Sequence, residues 1–436
     1  MMLALFVLFL GATVSDARQP PWLLRSIQIY GSTNEAAPPI LLLNPNGGIP
    51  CPGYPFITLE IEVDAPVPPA LTARFIHCRP DWQESLNVFL PLGSIGTTLF
   101  SWEPAPANSR YYTYRGRLTV PNPQVVIAYP GNWKVRLFEA RSPSQPIAEA
   151  RFFAVKPEVA CQVTVYGDLY DASPGISPAA VTLEAWVSTS PGTNLDQRLQ
   201  TVVFYRNHRW FEPYIVSYEP GLEATAESLY RQPYGRSIAG MLPGAKVFRA
   251  ERLPAQNEYR ILDLSNPAQF PPNATMPLRL PLADLRRNGG FWEWANDGAA
   301  LTAHIAPYLQ DYVPVEFILD PEGMPPPAQE VFVVGSFNNW RATSEWRLSY
   351  DPEQRLYRLR QLLRRGRHNY LYATGRLNAD TGTAEELSFE EWEGNSTAAR
   401  TSFWAFVYYR SPDLGGYDAL VAVGAATLQG PLHYGP

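Results

Sequence analysis

The sequence predicts an all-β chain of three consecutive antiparallel β-sandwiches, and three observations carry that expectation. The strong hydrophobic periodicities are two residues long rather than 3.6. Turns rich in Pro, Gly and Asn interrupt them at short intervals. Helical stretches are few and short, the best being Ala283–Arg287 and Ala224–Tyr230.

From the N-terminus, residues 2–14 (MLALFVLFLGATV) form an uncharged apolar run followed by Ser15-Asp16-Ala17. The run is too short to span a bilayer and has the small residues that a signal peptidase reads. We therefore expect residues 1–17 to be a signal peptide, cleaved near Ala17, although no Lys or Arg precedes it. Leu71–Phe75, Tyr112–Val120, Trp133–Leu137, Arg355–Arg360 and Phe403–Tyr409 alternate apolar and polar residues, as half-buried antiparallel strands do. Punctuation and strand spacing divide the remainder into a first sandwich over 18–157, a middle β-rich domain over 158–306, a third sandwich over 307–410 and a tail over 411–436.

Composition narrows the function. The 436 residues are 46% hydrophobic and 17% charged, so the chain can bury cores and is not disordered by composition. The net charge of -6 argues against a nucleic-acid partner, which needs a basic face. The 44 prolines are scattered and punctuate strands rather than forming one rigid linker. The chain carries no GxSxG, HExxH, Walker A or GxGxxG motif, and its five histidines include no i,i+4 pair. We expect no enzyme activity, no cofactor and no metal site. Cys51, Cys78 and Cys161 lack CxxC spacing; a Cys51–Cys78 bridge and buried free thiols both remain open.

Three clusters stand out. His77-Cys78-Arg79-Pro80-Asp81-Trp82 reads either as a binding loop or as a strand-to-loop corner, with Trp82 in the core and Asp81 on local amides. Asn257-Glu258-Tyr259-Arg260 places an arginine where a carboxylate can pair with it. Val331–Trp340 (VFVVGSFNNW) is a strand running into a tight turn, Phe337-Asn338-Asn339, that delivers Trp340.

The last of these resembles the opening of the glycogen- and starch-binding modules of carbohydrate-binding family 48 and the related immunoglobulin-like early-set domains. Such modules stack sugar on the Trp of this turn, add a basic residue after a Gly-x-His turn, and use a second Trp further on. Here the basic position is Leu371, and Thr374–Asn378 carries no Trp. Glucan binding is therefore the weaker expectation, and Trp340 is better read as covering a sandwich edge or meeting a protein.

Taken together, the clusters resemble a Bacteroidota family. His77–Trp82 is similar to its HC-x-x-DW element. Leu253–Arg260 is similar to its Ala-Gly-Asn-Glu-Tyr-Arg element, with Gln256 in place of the Gly. Asp311–Phe317, Val331–Trp340, Gly366–Tyr372, Tyr408-Tyr409-Arg410 and Tyr417–Val421 follow in the same order. That family is associated with the plug protein of the type IX secretion system. The resemblance implies a periplasmic, non-enzymatic protein that caps the periplasmic mouth of the outer-membrane translocon barrel when no cargo is passing. It makes His77, Asp81, Trp82, Asn257, Arg260, Phe337, Asn338, Asn339 and Trp340 family-motif residues and candidate interface positions.

Overall fold

A computed structural model describes residues 22–45, 48–90, 96–169, 179–189, 198–219, 221–223, 228–231, 233–242, 244–272, 274, 276–279, 283–287 and 298–428. The expected signal peptide and most of the helix expected at Ala224–Tyr230 lie outside them. Nearly all regular structure is β, in three two-sheet sandwiches.

The first sandwich uses β1 (Leu23–Gly31), β2 (Ile40–Leu42), β3 (Ile57–Asp64), β4 (Leu71–Cys78), β5 (Ser101–Pro104), β6 (Tyr114–Val120), β7 (Gly131–Glu139) and β8 (Ser142–Val155). Its sheets have the orders β1-β3-β6-β5 and β2-β8-β7-β4. Alternation works here as expected: Ile57, Leu59, Ile61 and Val63 of β3 face Leu118, Trp133, Val135 and Phe152 in the core.

The second sandwich begins with β9 (Ala160–Leu169), β10 (Ala179–Ser188), β11 (Leu199–Arg206), β12 (Tyr214–Ser217), β13 (Gly235–Leu242) and β14 (Ala245–Pro254). The chain then leaves it for the third sandwich, made by β15 (Arg260–Asp263), β16 (Leu278–Arg279), β17 (Tyr312–Leu319), β18 (Glu330–Gly335), β19 (Ser349–Asp351), β20 (Leu356–Arg364), β21 (Arg367–Leu377) and β22 (Ala384–Ser388). It returns with β23 (Thr401–Ser411) and β24 (Tyr417–Leu428), which complete the second sandwich in the order β12-β11-β23-β24.

This topology corrects two expected boundaries. Residues 401–410 do not end the third sandwich, and 411–428 are not a tail. The register Val202↔Val407 and Phe204↔Ala405 puts β23 beside β11, and β24 lies beside β23. Conversely, β15 and β16 fall before residue 306 yet pair with β21 and β17 of the third sandwich. The third sandwich is thus inserted into the second. Ala283–Arg287 is not helical either; Asp284 bridges Leu319 in extended form. The two boundaries share one physical reason. An alternating strand declares which face is apolar but not which edge it will join.

Candidate functional site: sandwich junctions and an exposed apolar ridge

The motif residues converge on the seams between sandwiches. Phe152 and Phe153 of β8 point to opposite sides, as neighbours on a strand must. Phe152 enters the first core, while Phe153 stacks on Phe406 of β23 at 4.0 Å between ring centroids. Trp82 plugs this first–second seam. Its indole N–H donates to Tyr205 Oη at 2.8 Å, and the Arg151 guanidinium lies 4.8 Å from its ring. Asp81 is buried beside it, and its Oδ1 accepts the Gln83 amide at 3.1 Å, the local capping role expected of a strand-to-loop corner. His77 packs edge-on against Trp133 and Tyr417. Burial pushes its imidazole down to about 4, so the ring is neutral.

Trp340 does the same at the second–third seam. It is only 2% exposed. Its indole N–H donates to Gly298 O at 2.9 Å, and its ring lies against Tyr259 and under the Arg209 guanidinium. Trp82 and Trp340 both hold a left-handed backbone, with φ of 66° and 59°. Bulky residues adopt that conformation only where the surroundings over-determine them. The turn before Trp340 is fixed by Asn338, whose Oδ1 accepts the Gly335 amide while its Nδ2 donates to Val333 O. Phe337 is half-buried and stacks on Trp346 at 4.9 Å. Asn339 alone of the nine motif residues is exposed. Leu371 lies wholly within the third sandwich's core.

Asn257 and Arg260 close the same region. Asn257 Nδ2 donates to Glu393 O at 2.9 Å. Arg260 Nε donates to Glu393 Oε1 at 2.9 Å, and its other nitrogens reach Asp284 and Leu285 O. Burial would lower the Arg260 pKa, but Glu393 and Asp284 outweigh it and hold the guanidinium more firmly charged than usual. Gln256 holds a left-handed conformation of the kind glycine favours, at φ 59°. Its amide donates to Asn395 Oδ1 at 2.7 Å, and its side-chain oxygen accepts from the buried Arg209, which also pairs with Glu212. The side chain thus takes on a bonding role that glycine could not.

The first–third seam is polar, and sequence reasoning missed it. Glu60 and Glu62 of β3 lie opposite Arg117 and Arg115 of β6, on the face that alternation assigns to solvent. Arg364 of β20 covers them, reaching Glu60 Oε1 at 2.9 Å and Glu62 Oε1 at 3.2 Å, and Tyr312 Oη donates to Glu62 Oε2 at 2.7 Å. Burial alone would raise the Glu60 carboxyl, but Arg364, Arg115 and Arg117 together hold it below the usual carboxylate range. The one available signal was the placement of oppositely charged residues, two glutamates and two arginines, at matching alternate positions of two strands.

Several large apolar side chains are exposed. Leu86, Val88 and Phe89, on the loop after β4, are 95%, 72% and 52% exposed. Asn87 between them donates through Nδ2 to Leu414 O at 2.8 Å and Gly416 O at 3.1 Å, tying the loop to the β23–β24 turn, where Leu414 is also exposed. The result is a fixed apolar ridge shared by the first and second sandwiches. Among the described residues no group of His, Cys, Asp or Glu is arranged to hold a metal, and no helix is long and apolar enough to cross a membrane.

No family model and no curated protein matches the chain. Among solved structures, it is similar to a hypothetical protein from Parabacteroides merdae ATCC 43184. The TM-score is 0.73 at 20% identity, covering 93% of this chain and 97% of that one. At that identity the likeness is one of fold, and it extends over the whole three-sandwich arrangement rather than one module.

Proposed function

We propose that this chain is a non-enzymatic periplasmic plug that caps the periplasmic opening of the outer-membrane type IX translocon in its cargo-free state. The observation that carries the reading is the ordered series of family-like motifs from His77 to Val421. Several of these, including His77–Trp82, Asn257–Arg260 and Phe337–Trp340, lie where one sandwich meets another.

Occlusion needs shape, rigidity and reversible affinity rather than bond chemistry. Buried aromatic plugs at two seams and a buried ion network at the third favour a body that moves as one piece. The ridge Leu86–Phe89 with Leu414 is a cluster of exposed apolar side chains, a feature that marks protein-interaction surfaces. The runner-up, α-glucan binding through the Phe-Asn-Asn-Trp turn, would need an open ring face at Trp340, and that ring is occupied by Tyr259 and Arg209.

The test is co-purification with the translocon from cells held free of cargo, paired with ion leakage after deletion of this chain. Co-purification and increased leakage are expected. An unchanged barrier after deletion would overturn the reading.

A further inference from the structure

We propose that Cys51 and Cys161 form a redox pair whose oxidation to a disulfide ties the first sandwich to the second. The two residues are far apart in sequence, and their sulfurs meet the same stretch of β24. Cys51, in the loop after β2, places its Sγ 4.0 Å from Val423 O. Cys161 is the second residue of β9, and a Cβ added to the next residue, Gly424, would meet its Sγ at 3.0 Å. One peptide unit of β24 is therefore flanked by both thiols, and the missing side chain of Gly424 leaves room for the second.

Exposure separates this pair from the third cysteine. All three are free thiols, with Cys51 and Cys161 half-buried and Cys78 buried. Cys78 Sγ turns back to Ile76 O at 3.6 Å, and the charges around it are those of Lys134, Arg151, Glu84 and Glu149. The charges of the other two do interact: burial, and after it Cys51, pushes the Cys161 thiol up to about 12. Burial pushes Cys51 up to about 11. Both are therefore thiols near neutral pH and react through a small thiolate fraction, so oxidation is slow and quickens as pH rises.

The co-reactant is a disulfide, supplied in a cell by a thiol–disulfide oxidoreductase and in the test by oxidised glutathione. The Cys51 thiolate attacks one glutathione sulfur, breaks the glutathione S–S bond and expels one glutathione. The Cys161 thiolate then attacks the Cys51 sulfur, forms the protein S–S bond and expels the second. Two electrons pass from the protein thiols to glutathione, and their two protons end on the two glutathione thiols. The bond requires the two α-carbons to lie within about 7 Å of each other. The product closes a covalent loop around β3 to β8.

The full-length chain, purified reduced, is treated with oxidised glutathione at mildly alkaline pH. Thiols are then counted in denaturant and the linked peptides mapped by mass spectrometry. The three thiols should fall to one, on Cys78, with a monomeric product lighter by two hydrogens. Cys161→Ser should stop at a glutathione adduct on Cys51. Retention of three thiols, a bridge to Cys78, a bridge between two molecules, or a lasting Cys51 adduct in the unmodified chain would each overturn the proposal. None of these outcomes depends on whether the chain is a plug.

Discussion

Replacing Trp340 separates a junction plug from a surface ligand site. The side chain is 2% exposed, packs against Tyr259 and satisfies Gly298 O. Truncating a buried Trp to Ala removes transfer energy and leaves a cavity, together about 3–5 kcal/mol. Alanine at φ 59° also keeps the left-handed strain, roughly 1–2 kcal/mol, which glycine does not have. Two outcomes follow. Trp340→Ala should lose about 4 kcal/mol of stability. Trp340→Gly should be the more stable of the two variants by about 1 kcal/mol, although glycine is ordinarily the worse residue inside regular structure. Urea unfolding followed by circular dichroism, with the midpoint shift multiplied by the slope, measures both. A Trp340→Ala protein within about 1 kcal/mol of the parent is what a solvent-facing, sugar-stacking Trp gives. That result would refute the junction role, and an alanine variant more stable than the glycine variant would refute the strain argument.

Three further outcomes are open to direct measurement. Glu62→Gln should lose about 1.5–3 kcal/mol, because Arg115 and Arg364 would stay buried with Glu60 as their one shared carboxylate; Glu103→Gln, which alters the exposed pair with Arg117, should leave the unfolding midpoint unchanged. Acid should destabilise the fold early. Burial lowers His77 and His368 from 6.5 to about 4 in the folded chain, so from pH 6.5 downward the unfolded state binds protons that the native state refuses. Stability then falls by about 3 kcal/mol per histidine by pH 4, and the depressed Glu60 adds a loss below 4.5. A His368→Gln protein should show a shallower acid limb in a pH series of urea melts, and an unchanged limb would contradict the assignment. Gln256→Gly should relieve about 1 kcal/mol of backbone strain but leave Arg209 short of a partner worth about 1.5–3 kcal/mol. Net destabilisation near 1 kcal/mol is expected, and a stabilised variant would show that the Arg209 bond contributes little.

The local structure was largely legible and the assembly was not. Alternation located β4, β6, β7, β20 and β23 and the class they build, because a strand's two faces are written two residues apart. It could not report that β23 would join β11, since that pairing bridges some two hundred residues through backbone groups common to every sequence. The same limit hid the polar seam. Arg115 and Arg117 alternate as a solvent face should, and only the arrival of Arg364 from another sandwich makes that face interior. Trp82 and Asp81 were legible as a corner because their partners include nearby residues such as Gln83. The ridge at Leu86–Phe89 passed unnoticed because a short apolar run in a loop looks the same in sequence whether it is buried or exposed.

The proposed function is tested most directly on the ridge within the intact secretion machinery. Translocon isolated from cargo-free cells should carry this chain, and Leu86→Asp with Phe89→Asp should abolish that association while the purified variant keeps its unfolding midpoint, because both side chains are exposed. Leakage across the outer membrane should rise to the level seen when the chain is deleted. Translocon that lacks the chain in the cargo-free state, or a deletion that leaves the barrier intact, would contradict the account.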